Sequence, residues 1–97
     1  MATLSIIVFA DAKEVLFDVP IQIDSVTIGA GSLQSAAITG DNNQIRHVRL
    51  FADADCFVLW GDNPTAVDFT DSMPLGAENP EVVGIKAGQL VAVITRA

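Results

Sequence analysis

His47 and Cys56 are the only histidine and the only cysteine in the 97-residue chain, and they are the first side chains to test for chemistry. Zinc centres commonly draw on several imidazole or thiolate ligands. One of each does not furnish a mononuclear site within one chain, and a single cysteine forms no intrachain disulfide. A trimer could pool three copies of His47 on its axis, but an exposed or interface strand histidine is the simpler reading. Cys56 sits within an apolar run, where cysteine behaves as a small hydrophobe. Asp53 and Asp55, joined by Asp41, could offer oxygens to calcium, which takes about six to eight from a loop of recognisable spacing. Asp53-Ala54-Asp55 shows two, and aspartate is a standard turn residue. Ser5, Ser25, Ser32, Ser35 and Ser72 fall in no nucleophile-elbow pattern, and any triad would have to recruit the one histidine.

Twelve acids satisfy by count the carboxylate pair of a glycosidase, yet no pair lies in an apolar cleft that the sequence can show. Gly29-Ala30-Gly31 resembles part of a phosphate-cradling loop, without the following helix or the basic partner such a loop needs. Asn63-Pro64-Thr65 fails as a glycosylation acceptor because proline occupies its middle position. The expectation is a protein that is not an enzyme, with no catalytic, cofactor-binding or metal-ligating residues.

Composition narrows the remaining classes. The net charge of −7 opposes direct binding to nucleic acid, which requires basic groups to neutralise phosphates, and opposes an anionic membrane surface. Hydrophobic residues make up 51% and charged residues 18%, below the usual quarter for soluble domains. Contiguous exposed apolar surface usually marks an interface, so the composition predicts a homo-oligomer. No apolar run approaches the roughly 20 residues of a membrane helix. Leu4 to Ala10 is too short and lacks the basic start of a secretion signal, which points to assembly in a cytoplasm.

The elements that would position these residues are strands. Ile45 to Pro64 is the organising stretch: the apolar runs Ile45–Ala52 and Cys56–Gly61 flank Asp53-Ala54-Asp55 and read as a hairpin. Neither run has a polar face, so both faces are expected to be covered. Leu4–Ala10 and Glu14–Val19, the latter closed by Pro20, form a second candidate hairpin. Ile21–Ile28 alternates, with a phase slip near Asp24 that suggests a bend, a bulge or two short strands. Gly29–Ser32 is a turn, Leu33–Ile38 a strand of small residues, and Gly40–Asn43 another turn. Thr65–Ser72 reads as a short strand or extended loop and Met73–Pro80, with two prolines, as a loop. Glu81–Ile85 and Leu90–Thr95 are strands joined by a turn at Lys86–Gln89. Short strands at near-regular spacing, with no amphipathic helical pattern, predict an all-β antiparallel sandwich of jelly-roll or immunoglobulin-like type over residues 1–97 as a single domain.

Four stretches carry a family resemblance: Ile45-Arg46-His47-Val48-Arg49-Leu50; Cys56 through Gly61-Asp62-Asn63-Pro64-Thr65-Ala66; Met73-Pro74-Leu75-Gly76; and Gly88-Gln89-Leu90-Val91-Ala92-Val93-Ile94. In this order they resemble segments of small tailed-bacteriophage virion proteins, over roughly Ile45 to Thr95. The resemblance implies a β-sandwich structural protein of the phage particle, assembled in the bacterial host cytoplasm. Such a protein would be a capsid cement or decoration subunit stabilising the head, with the major capsid protein or another virion protein as partner. Subunits of this kind commonly cluster as trimers, which favours a homotrimer. A tail or fibre module binding host glycan, or a small ligand-binding jelly roll, are the alternative readings.

Taking Val48, Leu50, Val58, Trp60, Val91 and Val93 as core leaves Phe51, Phe57 and Leu59 on the opposite hairpin face. Those three, with Arg46 and Arg49 near their rim, are the expected interface.

Overall fold

Two four-stranded antiparallel sheets pack face to face in the computed structural model, which describes residues 2–9, 21–40, 44–66 and 72–96. The strands are β1 (Thr3–Phe9), β2 (Gln22–Thr27), β3 (Leu33–Gln34), β4 (Ile45–Ala52), β5 (Cys56–Gly61), β6 (Met73–Leu75), β7 (Glu81–Lys86) and β8 (Leu90–Thr95). One sheet has the order β2-β1-β4-β7 and the other β3-β8-β5-β6. The described residues contain no helix. The chain is a small β-sandwich, as its short, regularly spaced strands predict.

The core follows from strand period. Leu4, Ile6 and Val8 of β1 and Val48, Leu50 and Ala52 of β4 point inward from the first sheet. Cys56 and Val58 of β5 and Val91 and Val93 of β8 meet them from the second, and all ten are fully buried. Five of the six residues expected in the core belong to this set; Trp60 packs against it but stays partly exposed.

The expected central hairpin is corrected. β4 and β5 do not pair: β4 lies between β1 and β7, and β5 between β8 and β6. Asp53-Ala54-Asp55 is an arch carrying the chain from one sheet to the other. The Asp53 N–H donates to the Thr3 carbonyl (3.3 Å), prolonging the first sheet, and the Arg96 N–H donates to the Asp55 carbonyl (3.3 Å), prolonging the second. Two strands stacked across a core need no ladder between them, so a three-residue link can join them without a hairpin turn. The links β2–β3, β3–β4, β6–β7 and β7–β8 cross between sheets in the same way.

Three further expectations change. β2 runs in unbroken register against β1 from Thr27↔Thr3 to Gln22↔Val8, with no bulge or bend at Asp24. The apparent phase slip has a different cause: Gln22 and Asp24 point to the inner side and hydrogen-bond a neighbouring segment, while Ile21 and Ile23 point out. In 33–38 only Leu33–Gln34 forms a ladder: the Ser35 N–H donates to the Val91 carbonyl (2.7 Å), its hydroxyl accepts the Val91 N–H (3.0 Å), and Ile38 meets the chain again at Gly88 and Gln89. Between those points the segment is held by β2. The Asp24 carboxylate accepts the Ala36 N–H (2.9 Å), and the Gln22 side chain accepts from Thr39 N–H (2.7 Å) and donates to the Ala37 carbonyl (3.1 Å). Met73–Leu75, expected as loop, is a strand outermost among the described strands of its sheet, where Pro74 lacks nothing a ladder needs on its open side. Glu14–Val19 and most of Thr65–Ser72 lie outside the described residues.

Candidate functional site

Outward-facing residues of the first sheet form rows set by strand register. Along β2 they are Ile21, Ile23, Ser25 and Thr27; along β1, Phe9, Ile7, Ser5 and Thr3. Along β4 they are Ile45, His47, Arg49 and Phe51, and along β7, Lys86, Gly84 and Val82. The central row reads Ile23–Ile7–Arg49–Val82 and the next Ser25–Ser5–Phe51, while Ile45 stands beside Lys86. Hydroxyls therefore collect where β1 begins, and aliphatic and basic groups collect toward its other end.

The aliphatic part is open. Ile23 is 70% exposed, Ile45 57%, Val82 48% and Ile21 44%. A sheet face that water alone covers is expected to carry polar residues, and four exposed aliphatic side chains on one face depart from that pattern. Arg49 lies at its centre, its guanidinium 5.9 Å from the Phe51 ring centroid. Within β1, β2, β4 and β7 this face carries Arg49, Lys86 and His47 and no carboxylate.

The second sheet's outer face differs. Phe57 is only 4% exposed, with the Arg96 guanidinium 5.4 Å from its ring centroid, and Ala92 is fully buried. Leu59 lies beside Ala92 and is half-buried. The five residues expected to share an interface are thus divided. Arg49 and Phe51 belong to the outer face of the first sheet, and Phe57 and Leu59 to that of the second, because the arch turns the hairpin's single face into two opposite ones. Arg46 belongs to neither: it stands opposite Ile85 on the inner side of β4, and its Nε donates to the Thr39 carbonyl (3.1 Å).

Ile21, Ile23, Ile45 and Val82 were not among the expected contact residues. Their signal was present in the alternation of β2, but polar Gln22 and Asp24 would ordinarily be read as its outward side.

The potentially reactive groups are kept apart. His47 lies in a row with Phe9 and Gly84, and its Nδ1 is buried without a hydrogen-bond partner among the described residues. A catalytic imidazole is oriented by a partner at this atom. Ser5, on the same face, is paired with Phe51, four residues along β4 from His47 and about 13 Å away at strand rise. Cys56 points into the core, where burial pushes its thiol up from 9.0 to about 11; Arg96 opposes that rise and Asp55 adds to it. A protonated, buried thiol is a poor nucleophile.

Asp53 and Asp55 serve the fold. One Asp53 carboxylate oxygen accepts the Thr3 N–H (2.7 Å) and one of Asp55 accepts the Ala77 N–H (2.8 Å). A concavity of about 350 Å³ lined by Ala54, Asp55, Thr95 and Arg96 opens beside the arch. No cluster of three or more His, Cys, Asp or Glu side chains suited to a metal ion occurs among the described residues.

Compared with protein-family models, curated protein sequences and solved structures, the chain matches none of them.

Proposed function

We propose that this chain is a non-enzymatic structural subunit of a tailed-bacteriophage virion, a capsid cement or decoration protein that acts by covering the outer face of its first sheet. The observation that supports this reading is the exposed aliphatic surface of Ile21, Ile23, Ile45 and Val82 around Arg49. The virion as destination is supported by the resemblance of the stretches between Ile45 and Thr95.

Magnitudes suit a lattice-borne subunit. The exposed fractions of those four side chains amount to about two whole aliphatic side chains. Covering them is worth on the order of 3–7 kcal/mol before association costs, at roughly 1.5–3 kcal/mol per side chain. Losing translational and rotational freedom costs about 4–15 kcal/mol, so one such contact is weak alone. A subunit that touches more than one neighbour on a particle surface gains by effective concentration what a single contact lacks.

The test is mass spectrometry of particles purified by density gradient from the source that encodes the chain. The expected result is this chain present at a fixed ratio to the major capsid protein. Its absence from purified particles overturns the reading.

A further inference from the structure

Among the described residues, the strands of the first sheet carry no outward carboxylate, and four acids gather at one end of the sandwich. Asp53 and Asp55 occupy the arch, Glu78 follows β6 with its N–H donating to the Ala52 carbonyl (2.7 Å), and Glu81 opens β7 opposite Leu50. All four are exposed. The basic groups of the outer face stand at other positions: Arg49 is opposite Val82, and Lys86 is five residues along β7 from Glu81, about 17 Å at strand rise.

An acidic end and a basic apolar face on one molecule are complementary to each other, and neither is complementary to itself. Face-to-face contact of two copies would bring Arg49 and Lys86 toward their own counterparts, and like charges across a contact disfavour it. We infer that the occupant of this face is the acidic end of a second copy, in a heterologous, head-to-tail contact. Arg49 and Lys86 of one subunit then meet Glu78, Glu81 and the arch aspartates of the next, with Ile23 and Val82 covered between them. Such contacts close into rings or continue, as the rotation between copies dictates. This inference rests on the assembly reading above and names its partner.

Two variants separate the halves of the contact at exposed positions. The face variant carries Ile23→Ser and Arg49→Ser; the end variant carries Glu78→Lys and Glu81→Lys. Circular dichroism and thermal unfolding like the wild type establish that both remain folded. Sedimentation velocity is then run on the full chain over a concentration series at low and high salt.

The expected wild type associates with concentration, and more than about tenfold more weakly at high salt, where exposed charges are screened. Each variant alone stays monomeric. Their equimolar mixture forms dimers that do not grow, because each dimer retains one intact face against one intact end. An end variant that assembles like the wild type identifies an isologous contact and overturns the inference, as does a wild type that is monomeric throughout. A monomeric wild type nonetheless found in purified particles would remove the head-to-tail contact and leave the virion role standing. An associating wild type absent from particles would do the reverse.

Discussion

Replacing Gln22 with alanine tests whether inward polar groups on an outer strand hold the sandwich closed. The Gln22 amide makes two hydrogen bonds to the passing segment: it accepts from Thr39 N–H at 2.7 Å and donates to the Ala37 carbonyl at 3.1 Å. Each neutral bond contributes about 0.5–1.5 kcal/mol net. Both are exposed, so water replaces part of the loss and the expected cost is about 1–2 kcal/mol. For a domain of this size that is a fall in melting temperature of roughly 4–16 °C. Urea unfolding followed by Trp60 fluorescence gives the free energy, with an unchanged m-value showing that the unfolded state is unaffected.

Asp24 holds the same segment through Ala36, so Gln22→Ala with Asp24→Ala should cost less than the sum of the single changes. Partners sharing one structural element couple by about 0.5 kcal/mol or more. Hydrogen exchange should show lost protection at Ala36 and Thr39 ahead of the core strands. A cost below about 0.3 kcal/mol, or strict additivity of the two changes, would refute the reasoning and make the inward polar pair incidental.

Leu50→Ala should cost about 2–5 kcal/mol in the same assay, as for other buried leucines, and Trp60→Ala should cost less than Leu50→Ala because Trp60 is partly exposed; the opposite ranking would place Trp60 at the centre of the core. Gly40 has φ of +138°, and a Cβ there would lie 2.8 Å from Arg46 Nε, so Gly40→Ala should destabilise by about 1–3 kcal/mol, measured as a shift in urea midpoint. The Cys56 thiol should resist alkylation in native protein at pH 8 and react on unfolding. Burial raises its folded-state pKa from the ordinary 9.0 to about 11, so its contribution to stability is complete below pH 9 and is lost as pH rises from 9 to 11, where the unfolded chain releases the proton first. A wild-type thermal-stability profile that runs parallel to that of Cys56→Ala across that window would contradict it.

Strand positions were legible as short apolar or alternating runs between turn residues. β1 and β4 alternate because one face lies in the shared core, while β5 and β8 are apolar throughout because Phe57 and Ala92 are buried on the outer side as well. Pairing was not legible, since Asp53-Ala54-Asp55 has the composition of a turn whether the strands beside it pair edge to edge or stack across the interior. That one ambiguity moved Phe57 and Leu59 to the opposite side of the molecule from Arg49 and Phe51. β2 hid its contact residues by inverting the usual rule: its polar side chains face in, where they hold a loop, and its isoleucines face out. Ser35 ended β3 early through a hydroxyl that substitutes for a ladder partner, which residue type alone does not announce.

The arch also fixes how the chain can be rewired. Thr3 bonds Asp53 and Arg96 bonds Asp55, so the start of β1 and the end of β8 are tied to the same tripeptide, at positions two residues apart. A linker joining position 96 to position 3 would close the chain into a ring, and that ring could be opened between β3 and β4. In the circularly permuted chain β4 would come first, while β8 and β1, now joined in sequence, would still lie in opposite sheets.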